Sequence, residues 1–452
     1  MVKTGKMIMF FLIVFLLEGC QSVETEVNAL YPKSEDSFVG DPMPYFNGEE
    51  FMMYYLEDLR DGQIGFHPFS LMTTNDFYHY KNVGEVIPYV NEEDSAERAL
   101  GTGSIIQDET GIYHAFYTGH NGERTPKEVI MHASSKDGKN WQKIPEDTFQ
   151  ADDMYEKNDF RDPYVFYEQE SQEYWMLITT RQDGQGIIAK YTSNDLRTWK
   201  NTGSFFNNDL GNDSNLECPS LVYFNEKWYL AFSDQWDKRV VHYRVADRVD
   251  GPFRKSTTDH VDGAGFYAGR LETDGENLYQ VGWIPTKENH DDLSNYNWAG
   301  NLAVHQLKSE GDKLIPQIPK TAYEQLDKQQ VPTGNYTKNK ELILDGTAQL
   351  LEGTVQVTSD TKVALEFSKE NIILLDFGNE RMQYYNTYLE DIPRRNPQSE
   401  INLTKSGIFD WKIVKENEIV VIYFGDYALS NRMYEMNNEI KMIVLDGQVT
   451  VK

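Results

Sequence analysis

Cysteine is almost absent from this 452-residue chain: there are two, Cys20 and Cys218. A disulfide framework or a cysteine-based metal site is therefore excluded. Basic residues are also in deficit, with 43 Lys and Arg against 72 Asp and Glu. The formal charge of −29 speaks against nucleic acid as a partner, because binding phosphates requires patches of Lys and Arg. It suits a soluble exported protein with a neutral or cationic ligand. No Gly-rich phosphate loop, no long amphipathic helix and no His pair at metal-ligand spacing is found, so neither cofactor nor metal is expected. No apolar run is long enough to cross a hydrocarbon layer about 30 Å thick.

The longest apolar run is "MIMFFLIVFLL", residues 7–17, preceded by Lys3 and Lys6 and followed by Glu18, Gly19 and Cys20. A charged start, a short apolar core and a small residue before a cysteine resemble a bacterial lipoprotein signal peptide. That resemblance implies a leader over residues 1–20, lipid attached to Cys20 and a place at the cell surface. An ordinary secretion signal or an uncleaved anchor is the alternative. Residues 21–35 are polar and aperiodic and read as a tether.

Aromatic residues, by contrast, are plentiful: 28 Tyr, 23 Phe and 8 Trp. They sit in short Tyr/Val/Ile/Phe runs broken by Gly, Asn and Asp, the pattern of an all-β protein. Three segments repeat: "TTNDFYHYKN" at 73–82, "SSKDGKNWQK" at 134–143 and "TSNDLRTWKN" at 192–201, with a weaker copy, "ADRVDGPFRK", at 246–255. The first three place an Asp four residues before an aromatic, at Asp76/Tyr80, Asp137/Trp141 and Asp195/Trp199. Each predicts a tight turn into an outer strand, the Asp bonding backbone and the aromatic packing between sheets. Five hairpin-like segments interleave with these, starting near 39 and at 101, 160, 216 and 265. Five units of about four strands predict a five-bladed β-propeller over 36–330. The first strand of each blade lines the axis, so Asp41, Thr102, Asp162, Glu217 and Tyr267 are expected at one equivalent position and around one funnel. A polar connector, "QQVPTGNYTKNK", leads to eight or so further strands over 331–452, expected to form a β-sandwich.

Two acids of different reach across a funnel suit glycoside hydrolysis, which needs a nucleophile or base and a proton donor. Asp41 is short and follows Gly40, as a deep nucleophile would. Glu217 is one methylene longer, with the weakly polar neighbours Leu216, Cys218 and Pro219, as an acid/base would be. Asp162 would stabilise the cationic transition state, with Arg161 keeping it ionised and oriented. A lone Arg-Asp-Pro step would read as an ion pair at a sheet edge; the equivalent acids in other repeats turn it toward chemistry. Cys218, without a His partner, is expected to point away from the funnel.

"FRDPYVF" and "LECPSL", about 55 residues apart, resemble the two most specific motifs of glycoside hydrolase family 32, the invertases, levanases and inulinases. The "GDPMPYFNGEEFMMYY", "GTGS", "GFYAGR" and "VGWIPTKENHDDLSNYNWAGNL" stretches resemble its other motifs, and 411–434 its late sandwich strands. The resemblance implies a propeller followed by a sandwich and hydrolysis of β-fructofuranosidic bonds. It implies Asp41 as nucleophile, Asp162 as transition-state stabiliser, Glu217 as acid/base, and Arg161, Thr102, Tyr267 and Trp298 around the sugar. The chain departs from the family pattern at Gly40, Met43, Pro44, Gly101, Thr102 and Gly265, all on the wall of the expected fructose pocket, so it reads as a divergent member. Two other functions fit the residues: a propeller glycosidase acting on arabinose or xylose polymers, and a non-catalytic fructan-binding surface lipoprotein.

Overall fold

The computed structural model describes residues 24–59, 67–236 and 238–452. The leader and Cys20 lie outside the described residues. Strand is the dominant structure of the described residues, in five blades followed by two stacked sheets. The innermost strands are β1 (Phe38–Phe46), β2 (Ala99–Gln107), β3 (Phe160–Glu168), β4 (Leu216–Phe224) and β5 (Tyr267–Thr273). Antiparallel hairpins carry each blade outward, to His79–Ile87 in the first and Lys200–Asn207 in the third. The ring closes where Gly300 of the fifth blade pairs with Val39 of the first.

Each blade is covered on both faces by its neighbours, so its strands are apolar on both sides rather than alternating. Phe51–Asp58, "FMMYYLED", is buried at all but one position. Five apolar clusters fill the gaps between blades. Met43, Tyr54 and Tyr117 occupy the first gap, Phe116, Val165 and Met176 the second, and Leu177, Leu216 and Leu230 the third. Ser104 and Ser220 lace neighbouring inner strands together, their hydroxyls accepting the backbone N–H of Val165 and Leu271, both at 2.9 Å.

The three repeated turns have one geometry. Oδ1 of Asp76, Asp137 and Asp195 accepts the N–H groups two and three residues on, at 2.8–3.0 Å. Trp141 and Trp199 then pack edge-on against Tyr54 and Phe116 of the preceding blade.

The expected tether is in part folded. Thr25–Asn28 pairs with His79–Asn82 on the rim of the first blade, and the backbone N–H groups of Leu30 and Tyr31 donate to Glu416 at 3.0 and 2.9 Å. A four-residue edge strand is too short to show a period, which is why the sequence does not reveal it. The sandwich has a seven-stranded and a six-stranded sheet, more strands than expected. The run at 407–432 accounts for part of the excess: turns of two residues divide it into Gly407–Glu416, Ile419–Phe424 and Tyr427–Arg432.

Candidate active site

All five inner strands break register at the same height. The ladder skips between Gly40 and Met43, Gly101 and Gly103, Arg161 and Tyr164, Glu217 and Ser220, and Tyr267 and Arg270. These are β-bulges, which re-aim side chains at the rims of closed sheets. Asp41, Asp162, Cys218 and Ala268 take positive φ there, at 38°, 57°, 52° and 50°. Pro42, Pro163 and Pro219 follow the first three, at places where no ladder donor is needed.

The bulges correct the alignment drawn from the sequence. Register makes Glu217 and Tyr267 equivalent to Arg161, Gly101 and Gly40, one residue before the bulge. Cys218 and Ala268 are the equivalents of Asp41, Thr102 and Asp162. Positive φ at Cys218 breaks the in-and-out alternation, so Cys218 does not simply face away: it clusters with Tyr267 and Trp283, and burial and the nearby Asp162 and Asp41 push its thiol well up.

Two tiers of contacts result. In the upper one, Arg161 Nη2 donates to Glu217 Oε1 at 3.0 Å, and the Tyr267 hydroxyl lies 2.7 Å from Glu217 Oε2. Arg161 Nη1 also meets Asp159 at 3.0 Å and Glu128 at 3.3 Å. In the lower tier, Thr102 donates to Asp41 Oδ2 at 2.8 Å and Trp283 Nε1 to Asp41 Oδ1 at 3.2 Å. The Cys218 N–H donates to Asp162 Oδ2 at 3.0 Å. Asp162 is buried, whereas Asp41 and Glu217 are partly open. Gly40 and Gly101 stand at the same place in the first two blades, where Trp298 and Thr118 fill the space a side chain would take. A Cβ on Gly40 would stand 2.4 Å from the Trp298 ring, so Trp298 closes over that strand.

Burial raises the pKa of all three carboxyls. For Asp41 the Thr102 and Trp283 hydrogen bonds oppose it, while the charge of Glu217 adds to it. For Glu217 and Asp162 the Arg161 charge is the main opposing effect. Each of the three carboxyls thus accepts from N–H or O–H donors while burial disfavours its charged form.

The structure brings Asp41, Thr102, Asp162, Arg161, Glu217 and Tyr267 to one place. Arg161 is hydrogen-bonded to Glu217 and not to Asp162, on which it acts through charge. Thr102 and Tyr267 are engaged with Asp41 and Glu217, which places them as supports for those acids. Trp298 lies on the wall, 4.4 Å from the His67 ring and 6.3 Å from Trp283. Sequence reasoning missed Glu128, which sits on a strand outside the inner five and carries no motif of its own, and it passed over Trp283, though the "VGWIPTKENHDDLSNYNWAGNL" stretch contains it. It also passed over Arg270, though "GFYAGR" contains it.

The sequence and fold have close counterparts. The Glycosyl hydrolases family 32 N-terminal domain matches residues 33–317. A sucrose-6-phosphate hydrolase of Streptococcus mutans is 26% identical, over 95% of this chain and 94% of the relative. One from Lactococcus lactis is 24% identical, over 75% and 77%. Among solved structures, the exo-inulinase of Aspergillus awamori superposes with a TM-score of 0.76 at 17% identity, covering 94% of this chain and 96% of that one. Sucrose-6-phosphate hydrolase of Lactobacillus gasseri gives 0.72 at 17%, covering 94% and 92%.

Proposed function

This chain belongs to glycosyl hydrolase family 32 and is a glycoside hydrolase acting on fructosides; from that premise we propose that it cleaves β-D-fructofuranosidic bonds by a retaining double displacement. Asp41 attacks the anomeric carbon of fructose while Glu217 gives its proton to the glycosidic oxygen, so the C–O bond to the leaving group breaks as the bond to Asp41 forms. Glu217, now a carboxylate, takes a proton from water. The resulting hydroxide equivalent displaces Asp41 and releases fructose. Asp162 offsets the positive charge that develops on the ring in both steps. The observation that carries this reading is the convergence of Asp41, Asp162 and Glu217 from three blades, with Thr102 and Trp283 donating to Asp41 and Arg161 and Tyr267 to Glu217.

Asp41→Ala, incubated with sucrose, inulin and levan, is expected to keep its fold and lose turnover. Hydrolysis at the wild-type rate would refute the assignment.

One observation favours a narrower substrate. The Arg239 guanidinium stacks 4.7 Å from the centroid of the Tyr267 ring, beside the acid/base. In a chain of charge −29, a cation there suits an anionic leaving group. Phosphorylated sucrose, the substrate in the relatives' names, has that chemistry. A kcat/KM preference for sucrose 6-phosphate over sucrose that collapses in Arg239→Gln supports this; equal values for both sugars exclude it. Export and lipid attachment at Cys20 belong to the same proposal, with Cys20→Ala expected to abolish fatty-acid labelling.

A further inference from the structure

Arg270 is the first residue beyond the bulge in β5, lower on the axis than Asp41 and Asp162, and it is 1% exposed. Its contacts are few. Nη2 lies 3.5 Å from the Asp162 carbonyl oxygen, and the guanidinium carbon stands 5.8 Å from the centroid of the Tyr164 ring. Nε and Nη1 meet no acceptor among the described residues. The side chain lines a cavity of about 160 Å³ with Met43, Tyr45, Ser104, Tyr164 and Glu272.

A buried cation must be compensated, since burying an unpaired charge costs several kcal/mol. The adjacent acid does not supply this. Burial pushes the Glu272 carboxyl up to about 8, so it is uncharged at neutral pH. Arg161 is already shared among Asp159, Glu128 and Glu217. The anions left to face Arg270 are Asp41 on β1 and Asp162 on β3. Its charge lowers the pKa of both. Of the other ionisable groups around it, Tyr45 on β1, Tyr164 on β3, Cys218 on β4 and Tyr267 on β5 are all pushed up by burial and stay neutral. From β2, Ser104, Ile105 and Ile106 line the same cavity, and none of them is charged.

We propose that Arg270 is the buried counter-ion that keeps Asp41 and Asp162 ionised in the resting enzyme, acting from the side of the axis that substrate does not enter. It is a positioning residue: it works through the nucleophile and touches no substrate. The idea rests on the role given to Asp41 above.

The test is the pH profile of kcat/KM, whose acid limb reports ionisation of the nucleophile in the free enzyme. Arg270→Gln is expected to raise the midpoint of that limb by about one unit, a tenfold loss on its acid side that fades toward alkaline pH. Arg270→Met should do the same, and carries the test if the Gln variant does not fold, because apolar replacement of a buried ion is often tolerated. Arg270→Lys keeps the charge and should hold the midpoint within about 0.3 unit of wild type. Equal loss at every pH in the neutral variants, with the midpoint unmoved, would overturn the proposal. That outcome differs from failure of the mechanism itself, which would appear as an active Asp41→Ala.

Discussion

The seam between propeller and sandwich and the axis of the propeller both bury charge, with opposite results. At the seam, Arg432 donates to the carbonyl of Pro285 at 2.8 Å, to Asn301 at 2.5 Å and to Glu418 at 3.0 Å. Asp292 accepts from the N–H groups of Tyr434 and Glu435 and from Asn371, at 2.7–2.9 Å. Asp262 binds His305 and Ser430. Every one of these groups has its partners. On the axis, Arg270 has two idle nitrogens and the carboxyls resist ionisation. A satisfied polar network fixes one docking geometry, whereas an under-satisfied one stores electrostatic free energy that a reaction can use. The sandwich thus braces the propeller, and the poised chemistry lies on the axis.

Substitutions separate the two regions, beginning with the largest effect. Asp41→Asn should cut kcat/KM by roughly 10⁴-fold or more, as loss of a nucleophile does. Its fold should survive, because the burial cost of the Asp41 charge is relieved while Asp162 still faces Arg270. Steady-state kinetics beside calorimetry reads both. At the seam the pattern inverts: Arg432→Ala should cost about 3–5 kcal/mol of stability by leaving buried acceptors unpaired, while kcat of the protein that stays folded changes little. Chemical denaturation and kinetics on the same sample check this, and a folded variant with lost kcat would erase the distinction.

Glu272→Gln sharpens the contrast from the axial side. An unfolded Glu ionises near 4.5, whereas folded Glu272 keeps its proton up to about 8. The wild type is therefore stabilised by this group below pH 4.5 and loses that stability as pH rises toward 8. The Gln variant escapes the loss, so it should be more stable than wild type by about 3 kcal/mol at pH 7 and equal to it at pH 4, by urea denaturation at both values. The smallest effect belongs to the rim. Asp137→Ala removes the acceptor for the Lys139 and Asn140 N–H groups and should cost about 1 kcal/mol in the same assay, with kinetics unchanged.

The repeats made the blades legible, because the turn chemistry of Asp137 and Asp195 and the apolar runs between them are local. "FRDPYVF" and "LECPSL" marked the inner strands for the same reason. The two-tier arrangement was hidden: aligning Glu217 with Asp162 ignores the bulge, although the shared Pro42, Pro163 and Pro219 could have revealed that Cys218, not Glu217, is the partner of Asp162. Thr25–Asn28 was lost to its brevity. Trp283 was lost because it meets Asp41 across 242 residues of chain.

By itself the sequence determined what short-range physics can specify: strand period, turn residues, five recurring units, and acids at the mouths of inner strands. Only the tertiary structure decided which acids are buried together and which donors hold each of them, which arginine is satisfied and which is not, and that Tyr267 serves Glu217. Those properties depend on burial and on charges brought together from distant blades, and Coulomb interactions and desolvation follow distance in space, not separation along the chain.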